Sequence, residues 1–153
     1  MNALLTPSDA AHGTLAPCAP SKKKIALLVL YSLFIMAGSL IPMDRDIRGL
    51  QFIIDLKPAF QNFLHVPVFA ILAILCLQVL RAYEMGRRKT LVIVLLFSLT
   101  LGVVNELVQL AVPGRYPSLM DILFNTVGII CGMWLYFFLD KRQPGLMRRL
   151  VCQ

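Results

Sequence analysis

Asn105-Glu106-Leu107-Val108-Gln109 leads into Pro113-Gly114-Arg115, then Ser118-Leu119-Met120-Asp121, then Asn125, Gly128 and Gly132. Long apolar runs flank this stretch on both sides. Leu91 to Val112 carries no charge until Glu106, and Ser118 to Leu139 carries only Asp121. Pro113, Gly114 and Pro117 between the runs stop any continuing helix. Ser118 and Asp121 fit the Ser-x-x-acid pattern that opens a new one. The reading is two apolar helices joined by a tight connection, hence antiparallel neighbours.

Two more apolar runs lie upstream. Ile25 to Ile41 is uncharged and ends at Pro42; Phe63 to Leu80 is interrupted near its start by His65 and Pro67, where a first-turn proline is tolerated. Each run is close to the length of about 17–25 residues that a spanning helix needs. Apolar residues make up 58% of the chain, against about 45–50% in soluble domains. The sequence therefore predicts an all-α polytopic membrane protein with four transmembrane helices. Residues 1–24 read as a mobile tail ending in Lys22-Lys23-Lys24, residues 25–139 as the four-helix domain, and residues 140–153 as a basic tail. Apolar positions recurring within residues 43–61 predict a short amphipathic helix on the membrane surface.

The formal charge is +7, but the basic residues cluster beside the apolar runs and match no nucleic-acid motif. Four spans put both termini on one side. Eleven of the 15 Lys and Arg residues then fall on that side, with Arg45, Arg48, Lys57 and Arg115 on the other. The positive-inside rule makes both termini cytoplasmic. Cys18, Cys76, Cys131 and Cys152 have no metal-ligand spacing, and no disulfide is expected. His65 stands far in sequence from other ligand types, so neither a metal nor a cofactor is expected.

In this topology the unusual polar residues share one depth. At a rise of 1.5 Å per residue, Glu106 lies about 9 Å below Val112 and Asn125 about 10 Å below Ser118. Half the hydrocarbon thickness is about 15 Å. Asp121, Asn125, Gly128 and Gly132 form one helical stripe, and Gly102, Glu106 and Gln109 form a matching one on the preceding helix. The two stripes are expected to face each other. Gly128-x-x-x-Gly132 allows close approach of another helix. The expectation is a polar pocket in the outer leaflet, gathering His65, Glu106, Gln109, Arg115, Asp121 and Asn125. A carboxylate at the depth of Glu106 is either neutral or ionised against a partner, and Arg115, nine positions on, is the partner expected.

Glu106-x-x-Gln109, Pro113-Gly114-Arg115, Ser118-x-x-Asp121, Asn125, Gly128 and Gly132 resemble the hallmark of the VanZ-like family of small bacterial membrane proteins. Ser39-Leu40-Ile41-Pro42 and His65 also match, so the resemblance covers about residues 35–135. There are departures. The family commonly carries Asp-Lys just ahead of the histidine, with Phe directly after it and Tyr shortly beyond. Here Gln61-Asn62 precede His65, Val66 follows, and Phe69 holds the tyrosine position. The resemblance implies a four-helix protein integral to the bacterial cytoplasmic membrane. Founding members are linked to resistance to teicoplanin, a lipid-tailed glycopeptide, although most members occur outside resistance clusters.

Three functions compete. The pocket would bind a lipid head group or a lipid-linked envelope molecule and so modulate the envelope, with glycopeptide susceptibility as one consequence. Alternatively, Glu106, Asp121 and His65 would be the catalytic acid–base groups of a small membrane enzyme acting on a lipid-linked substrate. No serine or cysteine nucleophile motif accompanies them. In the third reading the polar network is purely structural. Membrane lipids are the partners expected in the first two; oligomeric state is not written in the sequence.

Overall fold

The computed structural model describes residues 21–41, 58–83, 85–113 and 118–143. These residues form helices α1 (Lys22–Ser39), α2 (Pro58–Phe63), α3 (His65–Leu80), α4 (Arg87–Gln109) and α5 (Leu119–Arg142). No strand occurs among them. Residues 1–20 and 144–153 of the tails, most of the proposed surface helix at 43–61 and Arg115 lie outside the described residues, whereas Lys22–Lys24 open α1 and Asp140–Arg142 close α5. The part of that segment inside them is α2, which opens on Pro58 with its φ already set for the first helical turn.

Local chemistry sets the helix ends. Ser118 is extended, and its hydroxyl accepts the Met120 N–H at 3.1 Å, capping α5. Asp121 in the first turn and Lys141 and Arg142 in the last complement the helix dipole. At the end of α4 the backbone tightens: Leu110, Ala111 and Val112 each donate to a carbonyl three residues back. Pro113 follows this turn. The regular helix thus stops at Gln109, three residues short of the apolar run. Helix α3 continues through a 3₁₀ turn, Arg81–Tyr83.

Three helical segments, His65–Tyr83, Arg87–Gln109 and Leu119–Arg142, are long and apolar enough to cross a membrane by length and composition. Helix α1 is of similar length but has three lysines in its first turn.

Helix α3 is the centre of the bundle. Phe69, Leu72, Ala73 and Leu77 on it are fully buried, together with Val94 of α4 and Ile129 of α5. Ile35 of α1 closes the same core, and the Tyr31 hydroxyl donates to the Val68 carbonyl at 3.1 Å. The outer faces are apolar: Leu30, Phe34, Leu96, Leu107 and Trp134 are all more than half exposed. Meanwhile Ser98, Asn105, Glu106, Asp121 and Asn125 are buried. Polar groups inside and large apolar groups outside is the arrangement a lipid solvent demands.

The glycine stripe packs differently from the expectation. Gly128 lies against Val66 and Gly132 against Ala70, both on α3 rather than α4. Only the upper part of the stripe, Asp121 and Asn125, meets the polar face of α4. The reason is steric. A Cβ on Gly132 would sit 2.8 Å from the Ala70 Cα, and one on Gly128 would sit 3.0 Å from the Val66 Cα. The glycines therefore let two backbones touch, and α3 supplies the backbone. The register runs the same way along both helices, from Val66–Gly128 through Ala70–Gly132 to the Arg81–Asp140 ion pair. Helices α3 and α5 are parallel, whereas α4 runs antiparallel to α5, from Glu106 beside Ser118 to Arg87 over the Phe137 ring.

Candidate functional site

These directions gather three helix ends at one end of the bundle. His65 is the first residue of α3, Glu106 is in the last turn of α4, and Asp121 is in the first turn of α5. One ligand-type atom from each of the three lies within 4.8 Å of the other two. Asn125, one turn further along α5, joins them through its side-chain oxygen, 2.9 Å from His65 Nδ1. An amide oxygen only accepts, so the ring Nδ1–H donates here.

Glu106 is 3% exposed. Its Oε2 accepts the backbone N–H of Ser118 at 3.4 Å. This N–H belongs to the N-cap residue of α5, where a capping box would turn its own acid back on the cap. Glu106 thereby ties the end of α4 to the start of α5. Its second oxygen, Oε1, is buried and has no hydrogen-bond partner among the described residues, and the same holds for Asn125 Nδ2. Buried polar atoms of this kind need explaining, because each lacks the compensation that water gave it.

Of the residues singled out from sequence, the structure brings His65, Glu106, Asp121 and Asn125 together. Gln109 is buried at the end of α4, one turn beyond Glu106. Arg115 and its expected pairing with Glu106 lie outside the described residues. Gly102 forms the floor: a Cβ there would meet Asn125 Nδ2 at 3.0 Å and Phe69 Cε1 at 3.3 Å.

Two contributors were read in the sequence but not singled out as site residues. Phe69, in the position where a tyrosine was expected, is fully buried and stacks on His65 with ring centroids 6.3 Å apart. Its signal was hidden, since one phenylalanine in an apolar run looks like any other. Asn105 is 2% exposed, and its Oδ1 has no partner among the described residues. An amide beside a carboxylate inside an apolar run was signal enough.

The opposite end of the bundle is basic. Arg81 pairs with Asp140, and the Arg87 and Arg142 guanidinium groups lie 4.4 Å and 4.9 Å from the Phe137 and Phe138 ring centres. Such cation–aromatic contacts suit a membrane–water boundary.

An apolar exterior, helices of spanning length and a buried polar cluster at one end define an all-α integral membrane protein. A family model described as VanZ/LLP1 matches residues 19–140. The chain belongs to that family, which the motif around Glu106 had implied. No curated protein and no solved structure matches the chain.

Proposed function

We propose that this is a four-span protein of the bacterial cytoplasmic membrane whose polar cluster binds a lipid head group, or a lipid-linked envelope molecule, at the outer leaflet. The observation that carries the reading is the gathering of buried Glu106, Asp121 and Asn125 with half-buried His65 at one end of an otherwise apolar bundle. Holding ionisable groups in lipid is costly, so such groups default to function. Glu106 Oε1 is left to accept from a hydroxyl or ammonium group, and Asn125 Nδ2 to donate to an oxygen. Arg115, in the connection between α4 and α5, supplies a planar fork suited to phosphate.

Helix α1 is the fourth span in this reading. Ile35 packs into the core while Leu27, Val29, Leu33 and Phe34 are at least half exposed, as a lipid-facing side would be. The 11-to-4 division of Lys and Arg supports cytoplasmic termini. Reporter fusions at residues 5, 85 and 153 are expected to report inside, and one at Gly114 outside. An outside signal at residue 85 would overturn the topology and move the cluster to the cytoplasmic leaflet.

Head-group binding is tested by extracting lipids from protein purified out of native membranes. One lipid class is expected to be enriched over an unrelated membrane protein, and Asn125→Ala is expected to lose it. That variant removes the His65 acceptor, at a cost of about 1–2 kcal/mol, which leaves the bundle folded. Equal lipid content in the two proteins counts against binding. The proximity of His65 to two carboxylates also favours a second reading, acid–base chemistry on a lipid-linked ester or phosphate. Release of product from the enriched lipid distinguishes it. Teicoplanin susceptibility is the cellular readout for either.

A further inference from the structure

We propose that His65, Glu106 and Asp121 form a binding site for one divalent first-row transition cation. The spacing of these residues in sequence gave no sign of it, because each comes from a different helix. The fold brings one nitrogen and two carboxylate donors within 4.8 Å of one another, with Glu106 and Asp121 buried.

Two independent observations point to a cation. The first is Glu106 Oε1, a carboxyl oxygen that is buried in the cluster without a hydrogen-bond partner among the described residues. The second is the orientation of His65. Its Nδ1–H is given to Asn125 Oδ1 at 2.9 Å, which leaves the lone pair on Nε2. A ligating histidine nearly always donates its other ring N–H to such an acceptor, which sets the tautomer and the ring plane. Phe69 stacked on the ring holds that plane from the side.

One imidazole with two carboxylates favours Zn²⁺ or Mn²⁺ over the all-oxygen preference of Mg²⁺ and Ca²⁺. Donors at about 2.1 Å from one ion in a tetrahedral array stand about 3.4 Å apart. From separations within 4.8 Å, the set closes by at most about 1.4 Å, within reach of side-chain rotation. Three protein donors leave a coordination position open. In the head-group reading, that position takes an oxygen of the ligand. The cation site does not depend on that reading, because uptake is measured without added lipid.

Full-length protein in detergent, stripped with a chelator, is dialysed against Zn²⁺, Mn²⁺ or Mg²⁺ and its metal content measured. One equivalent of Zn²⁺ or Mn²⁺ per chain is expected, with Mg²⁺ not retained. Thermal unfolding should shift upward with the retained ion. Glu106→Gln and His65→Ala should each lower affinity at least tenfold. Asn125→Ala touches no proposed donor and should weaken binding about 10–100-fold through loss of the ring's anchor. Helical content by circular dichroism identifies any variant that has not folded, and the remaining variants then decide. Uptake well below one equivalent, or equal uptake by folded Glu106→Gln and His65→Ala, would overturn the site.

Discussion

Gly132→Ala is expected to lower the stability of the bundle by about 3 kcal/mol, as an overpacked helix contact does. The added Cβ would lie 2.8 Å from the Ala70 Cα, and a backbone cannot swing aside as a side chain can. Gly128→Ala faces the Val66 backbone in the same way and should cost about as much. The two glycines are one turn apart on a single contact, so the double variant need not show the sum. Gly38→Ala is the control. Nothing lies within 4 Å of a Cβ there, and alanine in a helix should gain about 0.5–1 kcal/mol. Thermal unfolding in detergent checks all three. A drop of about 10 °C or more is expected for Gly132→Ala. An unchanged midpoint would mean that α5 does not lie on α3.

Glu106→Gln is expected to abolish function while leaving the fold within about 1 kcal/mol of the parent, since the amide carbonyl still accepts a neutral hydrogen bond. The acceptor in question is the one facing the Ser118 N–H, so the tie between α4 and α5 survives. What disappears is a carboxylate oxygen, Oε1, that has no hydrogen-bond partner among the described residues. Retention of the copurifying lipid should fall at least tenfold, which corresponds to about 1.4 kcal/mol. The double variant Glu106→Gln with Arg115→Gln separates site from scaffold. If the charge only holds the bundle together, the single variant should lose stability and the double should recover part of it. If the charge belongs to a site, neither variant regains lipid binding or phenotype.

Much of this architecture was legible in the sequence because lipid makes polarity expensive. Glu106, Asp121 and Asn125 stood out against apolar runs, and all three proved buried at one end of the bundle. The Ser118 cap was readable for a similar reason: a hydroxyl just ahead of an apolar run has one common use, and it accepts the Met120 N–H. Helix neighbours were harder. A short connection makes two helices adjacent, but it does not say which helix a glycine face will choose. Gly128 and Gly132 chose α3 because backbone contact there is possible with Val66 and Ala70. Such a preference depends on shape along two helices and leaves no local mark. The partner of His65 was hidden in the same way, since it lies 60 residues away on α5. The expected Glu106–Arg115 pair was drawn from separation along the chain, whereas the contact seen for Glu106 is a main-chain donor, which no side-chain pattern announces.

The parallel packing of α3 on α5 also bears on how the protein is made. Synthesis runs from the N-terminus, so α3 and α4 are complete before the residues of α5 exist. Until then, His65 lacks Asn125, Glu106 lacks the Ser118 N–H, and the α3 backbone at Val66 and Ala70 lacks its glycines. A partly built chain therefore carries unmatched polar groups at membrane depth, where they are costly. Arrival of the last helix supplies these three contacts in one step. The cluster then marks a finished chain, and a product truncated before residue 118 would present an ionisable surface that the intact protein conceals.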